Sequence, residues 1–243
     1  MKPINELSTK SPSGIFKTKT KKQVKRLAHQ LFSLQNLLYA SGKHSLLIIL
    51  QGMDTSGKDG TIRNVFSRIN PQGCTVKSFK NPTEEEKSHD FLWRIYANLP
   101  GKGMIQVFNR SQYEDVLFPV VHHQMGEAEI QERYRLINDF EDRLKMNNTI
   151  VLKFYLHIAE KEQQSRLKAR LTEPDKKWKY SSAGKRKVKN WNDYMEAYQH
   201  AIDACGKVNP WIIVPADQKW YRNYVVAATI VKTLENLKME YPR

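Results

Sequence analysis

The spacing of apolar residues changes several times along the chain. Over residues 21–40, Val24, Leu27, Leu31, Leu34 and Leu38 recur every three or four positions, which predicts an amphipathic helix. Residues 46–50 form an unbroken apolar run that ends in a glycine-bearing loop, the pattern of a strand buried in a parallel sheet. Residues 59–69 read as a helix that stops before Pro71, and 75–79 as a weak strand. Thr83, with Glu86 three residues on and Pro82 before it, forms a capping box that opens a helix through Trp93 to about Asn98. Further strands are predicted at 104–108, 150–157 and 211–215, and further helices at 127–146, 159–171, 190–204 and 221–239. The polar stretch 1–20, with Pro3, Pro12 and Gly14, reads as an extended arm.

Strands alternating with helices predict an α/β fold with a parallel sheet sandwiched by helices. The 243 residues suit a single domain, with 1–45 as N-terminal arm and helix. Five tryptophans and 40% hydrophobic residues give enough material for a core. The net charge of +15 leaves the fold undetermined but implies a surface that attracts polyanions. Two cysteines, Cys74 and Cys205, allow neither a disulfide framework nor a CxxC metal pattern, which fits a reducing compartment. With no apolar leader and no run of the ~18 residues a membrane helix needs, a cytoplasmic protein without a membrane partner is the expectation.

The loop after the first strand carries the clearest chemistry. Gly52-Met-Asp-Thr-Ser-Gly57-Lys58 matches G-x-x-x-x-G-K, with Asp59 where a Ser or Thr usually follows. Glycines let the backbone approach closely, and N–H groups at a helix N-terminus converge on phosphate oxygens. Gly52, Met53, Thr55, Ser56, Gly57, Asp59 and Gly60 are therefore the expected phosphate cradle, with Lys58 reaching a terminal phosphate. Two carboxylates, Asp54 and Asp59, stand in this anion site. They need not touch phosphate if a divalent cation lies between. The competing reading is a turn with chance glycines, but the buried strand before it and the helix after it supply the required context.

The strand at 104–108 ends in Asn109, Arg110, Glu114 and Asp115. Sites in open α/β sheets lie beyond the carboxyl ends of strands, where this cluster and the glycine loop both fall. The planar fork of Arg110 suits a phosphate chain, and Glu114 and Asp115 are candidate metal ligands or general bases. Taken alone, the stretch is equally an ordinary strand-to-helix turn with an internal ion pair.

The segment 165–202 is strongly basic and interleaved with Trp178, Tyr180 and Trp191. That combination suits nucleic-acid binding or a lid over nucleotide phosphates, and the tryptophans are equally plain core anchors. A second patch, Lys17, Lys19, Lys21, Lys22, Lys25 and Arg26, is expected to be a solvated face. Adjacent histidines such as His122 and His123 rarely share a metal without a third ligand nearby.

With "GMDTSGKDG", "NPTEEEKSHDFLWR", "VFNRSQYEDVL", "RLTEPDKKWKYS" and "WNDYMEAYQHAI" in this order, the chain resembles the second polyphosphate kinase family, the polyphosphate:nucleotide phosphotransferases. The resemblance spans roughly residues 46–202. It implies a P-loop kinase-like fold with a helical lid, here at 170–192. It also implies Mg²⁺-dependent phosphoryl transfer between inorganic polyphosphate and a purine nucleoside mono- or diphosphate, and a homodimer or homotetramer. It assigns catalysis to Asp54, Lys58, Arg110, Asp115 and Arg170, and the metal to Asp54 and Asp115, with Glu114 a further candidate. Asn109, Lys176 and Lys179 join the phosphate- or nucleotide-binding set. After "KYS" the family usually turns acidic, whereas Ser182-Ala-Gly-Lys-Arg-Lys here is basic. Two rivals remain at this stage. One is an ATP-dependent nucleotide or nucleoside kinase of the same fold. The other is a nucleic-acid-binding P-loop protein, against which the absence of a base-reading motif argues.

Overall fold

The computed structural model describes residues 2–174, 177 and 190–242. Five parallel strands, β1 (Ser45–Gln51), β2 (Cys74–Ser78), β3 (Ile105–Asn109), β4 (Thr149–His157) and β5 (Trp211–Pro215), form one sheet in the order β2-β3-β1-β4-β5. Nine α-helices are described: α1 (Lys17–Ser41), α2 (Lys58–Val65), α3 (Glu84–Ser88), α4 (Trp93–Tyr96), α5 (Glu114–Val121), α6 (Glu127–Met146), α7 (Glu160–Thr172), α8 (Trp191–Ala204) and α9 (Lys219–Asn236).

β1 is central and buried throughout. Because strand side chains alternate between faces, Leu46, Ile48 and Leu50 enter one core cluster, and Leu47 and Ile49 the other. Each fully buried aliphatic contributes about 1.5–3 kcal/mol. The larger cluster takes in Leu31 and Leu38 of α1 and Val226, Ile230 and Leu234 of α9, and these two helices pack together. No described helix is long and apolar enough to cross a membrane.

Several expectations are refined. The stretch read as an extended arm is tethered to the body at residues 4–11, and Lys17–Thr20 already belong to α1. Ile4 is 2% exposed within the core, its N–H donates to Gln199 Oε1 at 2.7 Å, and Thr9 Oγ1 donates to Asp217 Oδ2 at 2.7 Å. One isoleucine is too short a signal for any periodicity. The capping box at Thr83 and Glu86 is present, but the helix it opens ends at Ser88. The chain restarts after Asp90, whose Oδ1 accepts the Leu92 N–H at 2.9 Å, and α4 follows. α2 stops at Val65, short of Ile69. α5 escaped the pattern because Val116, Leu117, Phe118, Val120 and Val121 make it apolar nearly all round.

Candidate active site

In the register of β1 and β3, Leu50 lies opposite Asn109, and the Arg110 N–H donates to Leu50 O at 3.0 Å. The two loops that leave these strands therefore start side by side. After β3 the chain crosses to the far side of β1, which makes this the switch point where ligands of such sheets bind.

The glycine loop has the backbone its sequence demands. Gly57 has φ +105°, and a Cβ there would stand 1.8 Å from Arg222 Nη1. Gly52 has φ +143°, and its Cβ would meet Leu156 O at 2.7 Å. Thr55 and Arg110 both hold φ of +66°, a left-handed backbone that side-chain-bearing residues adopt at a cost of about 1–3 kcal/mol. Lys58 is buried and folds back, its Nζ donating to Gly52 O at 2.6 Å and to Met53 O at 3.2 Å. Arg222 Nη1 donates to Ser56 O at 3.2 Å. The guanidinium of Arg222 is 2% exposed, and burial, with Arg166 nearby, pushes its pKa down to about 10.

Both acids of the loop are tied to residues at or just past the end of β3. Arg110 Nη2 donates to Asp54 Oδ1 at 2.8 Å, and Asn109 Nδ2 donates to Asp59 Oδ1 at 2.8 Å. Glu114 Oε2 lies 3.5 Å from Arg110 Nη1. The charge of Glu114, opposed by burial and aided by Asp54, raises the pKa of Arg110 above its ordinary value.

Asp54, Arg110 and Glu114 share a small cavity of ≈ 20 Å³ with Gly52, Met53, Gln163, Tyr194 and Tyr198. That is room for about one water. Gln163 Nε2 donates to Asp54 O at 3.2 Å, while its buried Oε1 has no hydrogen-bond partner among the described residues. Among the described residues, no three His, Cys, Asp or Glu side chains cluster as a metal site.

Asp115 lies elsewhere. Both its oxygens accept from Arg94 Nη2, at 2.9 and 2.8 Å, and burial raises its pKa against the pull of Arg94. The structure thus brings Asp54, Glu114 and Arg110 together and sets Asp115 in a separate pair.

Beside the cradle opens a cleft of ≈ 1810 Å³. Thr55, Gly57, Lys58, Asp59 and Gly60 form one wall, and Asn109, Arg110 and Arg170 also face it. Arg63, Arg68 and Lys80, which no motif singled out, add charge, as do Lys21 and Lys25 of the patch expected to be merely solvated. An i, i+4 spacing on the Val24–Ala28 face of α1 was the one available signal for those two lysines. Lys176, Lys179, Trp178, Tyr180 and most of the expected lid lie outside the described residues. Trp191 packs against the core, as the plainer reading had it.

The comparison with known proteins agrees with this architecture. The family model described as Polyphosphate kinase 2 matches residues 14–242. The chain belongs to the polyphosphate kinase 2 family. A Meiothermus ruber protein named AMP/ADP-polyphosphate phosphotransferase is 46% identical over 218 residues, covering 89% of this chain and 82% of that protein. A Rhodopseudomonas palustris protein named ADP-polyphosphate phosphotransferase is 45% identical over 233 residues, 90% of this chain and 79% of that one. The crystal structure of polyphosphate kinase 2 from Arthrobacter aurescens TC1 superposes with a TM-score of 0.95 at 41% identity, covering 98% of this chain and 87% of that chain.

Proposed function

We propose that this polyphosphate kinase 2 family member transfers a phosphoryl group between inorganic polyphosphate and a purine nucleoside mono- or diphosphate in the presence of Mg²⁺. The observation that carries the reading is the Arg110–Asp54 pair at 2.8 Å, which stands at the junction of the glycine cradle and the basic cleft. One anionic chain in the cradle and a second in the cleft meet beside that pair.

The terminal phosphate oxygen of the nucleotide attacks the end phosphorus of polyphosphate. The bond to the next phosphate breaks, and the shortened chain leaves with the bridging oxygen. Such transfers need positioning and charge stabilisation rather than covalent chemistry from the protein. Lys58, Arg110 and Arg170 stabilise charge on the transferred group. Lys58 exchanges its two loop carbonyls for phosphate oxygens when substrate enters.

Mg²⁺ suits a site with one or two carboxylates plus substrate phosphates. Asp54 and Glu114, which flank one small polar cavity with Arg110, meet that requirement and are the residues we assign to hold it. When bound, the ion neutralises phosphate charge. Asp115 braces the start of α5 through Arg94. Polyphosphate carries about one negative charge per residue, so a cleft of Lys and Arg grips it as a polyelectrolyte without sequence. A cytoplasmic homodimer or homotetramer completes the reading, and exposed Phe16 at 71% and Met146 at 85% offer apolar contact surface.

The test is a donor and acceptor panel. Purified protein is given AMP, ADP, GMP or GDP with long-chain polyphosphate alone or with ATP alone, and product nucleotide is followed. Polyphosphate-dependent product is expected. Product with ATP alone and none with polyphosphate would sink the proposal in favour of an ordinary nucleotide kinase.

A further inference from the structure

Arg166, on α7, lies beside the cradle in a cleft whose other arginines invite a phosphate-binding role. Its hydrogen bonds argue otherwise. Nε donates to Glu162 Oε1 at 2.8 Å, Nη1 to Thr55 O at 3.0 Å and Ser56 O at 3.3 Å, and Nη2 to Ala216 O at 2.9 Å and Asp217 O at 2.7 Å. A guanidinium has five N–H donors, and five acceptors take them. No donor is left for a phosphate. We propose that Arg166 is a positioning residue that sets the shape of the glycine loop rather than a ligand of the substrate, an inference that rests on that loop binding phosphate.

The link from carbonyl to cradle is the planarity of the peptide unit. In a trans peptide the C=O and the following N–H point in opposite directions. Holding Ser56 C=O on Arg166 turns the Gly57 N–H the other way, toward the mouth of the loop. Arg222 Nη1 donates to the same Ser56 carbonyl from the other element, α9, at 3.2 Å. The Ser56 N–H itself closes a turn on Met53 O at 3.1 Å, so Gly57 is the first N–H of the cradle whose direction these arginines decide. Lys58 holds the Gly52 and Met53 carbonyls only until substrate draws it away, so the two arginines keep the carbonyl side of the loop in place while its N–H groups form an anion-binding nest.

The anchor extends to the N-terminal stretch. The Asp217 N–H donates to Thr9 O at 3.1 Å, Thr9 Oγ1 donates to Asp217 Oδ2, and Asp217 Oδ1 accepts from the Ala159 N–H at 2.9 Å, just ahead of α7. Arg166 therefore joins three segments: the glycine loop, α7 and the turn after β5. A lysine has the charge but not the planar fork, and it cannot reach two pairs of carbonyls at once.

The experiment compares wild type, R166K and R166A. Three quantities are measured: kcat and KM with polyphosphate and ADP, the salt dependence of tripolyphosphate binding by calorimetry, and amide exchange at Gly57. Both variants should lose on the order of 10²-fold in kcat, the size of effect a misplaced reacting group produces. The slope of log affinity against log salt should stay at the wild-type value, because no phosphate contact is removed. Gly57 exchange should quicken, and millimolar guanidinium should restore part of the R166A rate. Wild-type turnover in R166K, or a salt slope shallower by about 0.7 in R166A, the loss of one contact, would overturn the proposal. If R166A does not fold, R166K carries the kinetic, salt and exchange measurements. If wild-type protein fails to use polyphosphate, the functional reading falls, and unchanged Gly57 exchange in R166K then overturns the positioning role separately.

Discussion

Arg94 grips both oxygens of Asp115, at 2.9 and 2.8 Å, while Glu114, the residue before it, faces Arg110 at 3.5 Å. Successive residues on a helix point about 100° apart, so two adjacent acids at the start of α5 serve two different places. E114Q should lower turnover on the order of 10²-fold with stability nearly unchanged. D115N should instead cost about 1.5–3 kcal/mol of stability, because Arg94 loses its two-oxygen partner and keeps only Glu86 at 3.5 Å. Urea unfolding and initial rates on both variants separate the two roles. Reversed outcomes would return Asp115 to the metal site.

Asp54 sits where the cradle meets Arg110. D54N preserves its shape and removes its charge. Turnover with polyphosphate and ADP should fall by roughly 10²–10³-fold, the scale of losing one charge-stabilising group. A rate within a few-fold of wild type would remove Asp54 from the mechanism.

Gly57 is constrained twice, by φ of +105° and by Arg222 at 1.8 Å from where a Cβ would be. G57A should abolish tripolyphosphate binding and cost about 1–3 kcal/mol of stability. The double variant G57A/R222A relieves the collision but not the dihedral. It should stay inactive, and recovery of phosphate binding in calorimetry would show that contact alone mattered.

His157 is 3% exposed, and its Nε2 bonds Leu7 O at 3.1 Å. Burial, resisted by the Leu7 bond and the charge of Asp217, holds its pKa below the ordinary 6.5. The unfolded chain then binds the proton more readily. The stability this group contributes is present above about pH 6.5 and lost as pH falls through the lower folded value. Melting temperature should drop on acidification from pH 7 to 5, with early loss of amide protection at Ala216 and Asp217. H157Q should flatten that dependence, and an identical pH profile in the variant would refute the assignment.

Lys153 is fully buried, and its Nζ donates to Glu141 Oε2 at 2.6 Å, Tyr113 OH at 2.9 Å and Cys205 O at 2.5 Å. K153M strands the buried Glu141 and should destabilise by about 3–5 kcal/mol. K153M/E141Q should recover much of that loss in urea titrations, since no unpaired charge remains. A double variant no better than the single would point to packing instead.

The strands at 150–157 and 211–215 and the helix at 127–146 were legible because their apolar runs are long or regularly spaced. The glycine loop was legible for a different reason: Gly52 and Gly57 meet a positive-φ backbone requirement five residues apart, and Lys58 follows at once. What escaped depends on pairs distant in sequence. Arg94 and Asp115 meet across 21 residues, Arg166 and Thr55 across 111, and Arg222 and Ser56 across 166. No local pattern marks an arginine that will be buried against a carbonyl. The pairing of Asp115 was hidden for the same reason: its partner Arg94 closes a different motif, 21 residues earlier, and nothing local joins the two.

The buttress that Arg222 places under Gly57 comes from the last helix, so synthesis supplies it long after the loop it supports. A nascent chain carries its glycine loop by residue 60 but lacks the α9 side chain that holds Ser56 in place until residue 222 emerges. A chain that stops before residue 222 therefore has its glycine loop without this donor to the Ser56 carbonyl.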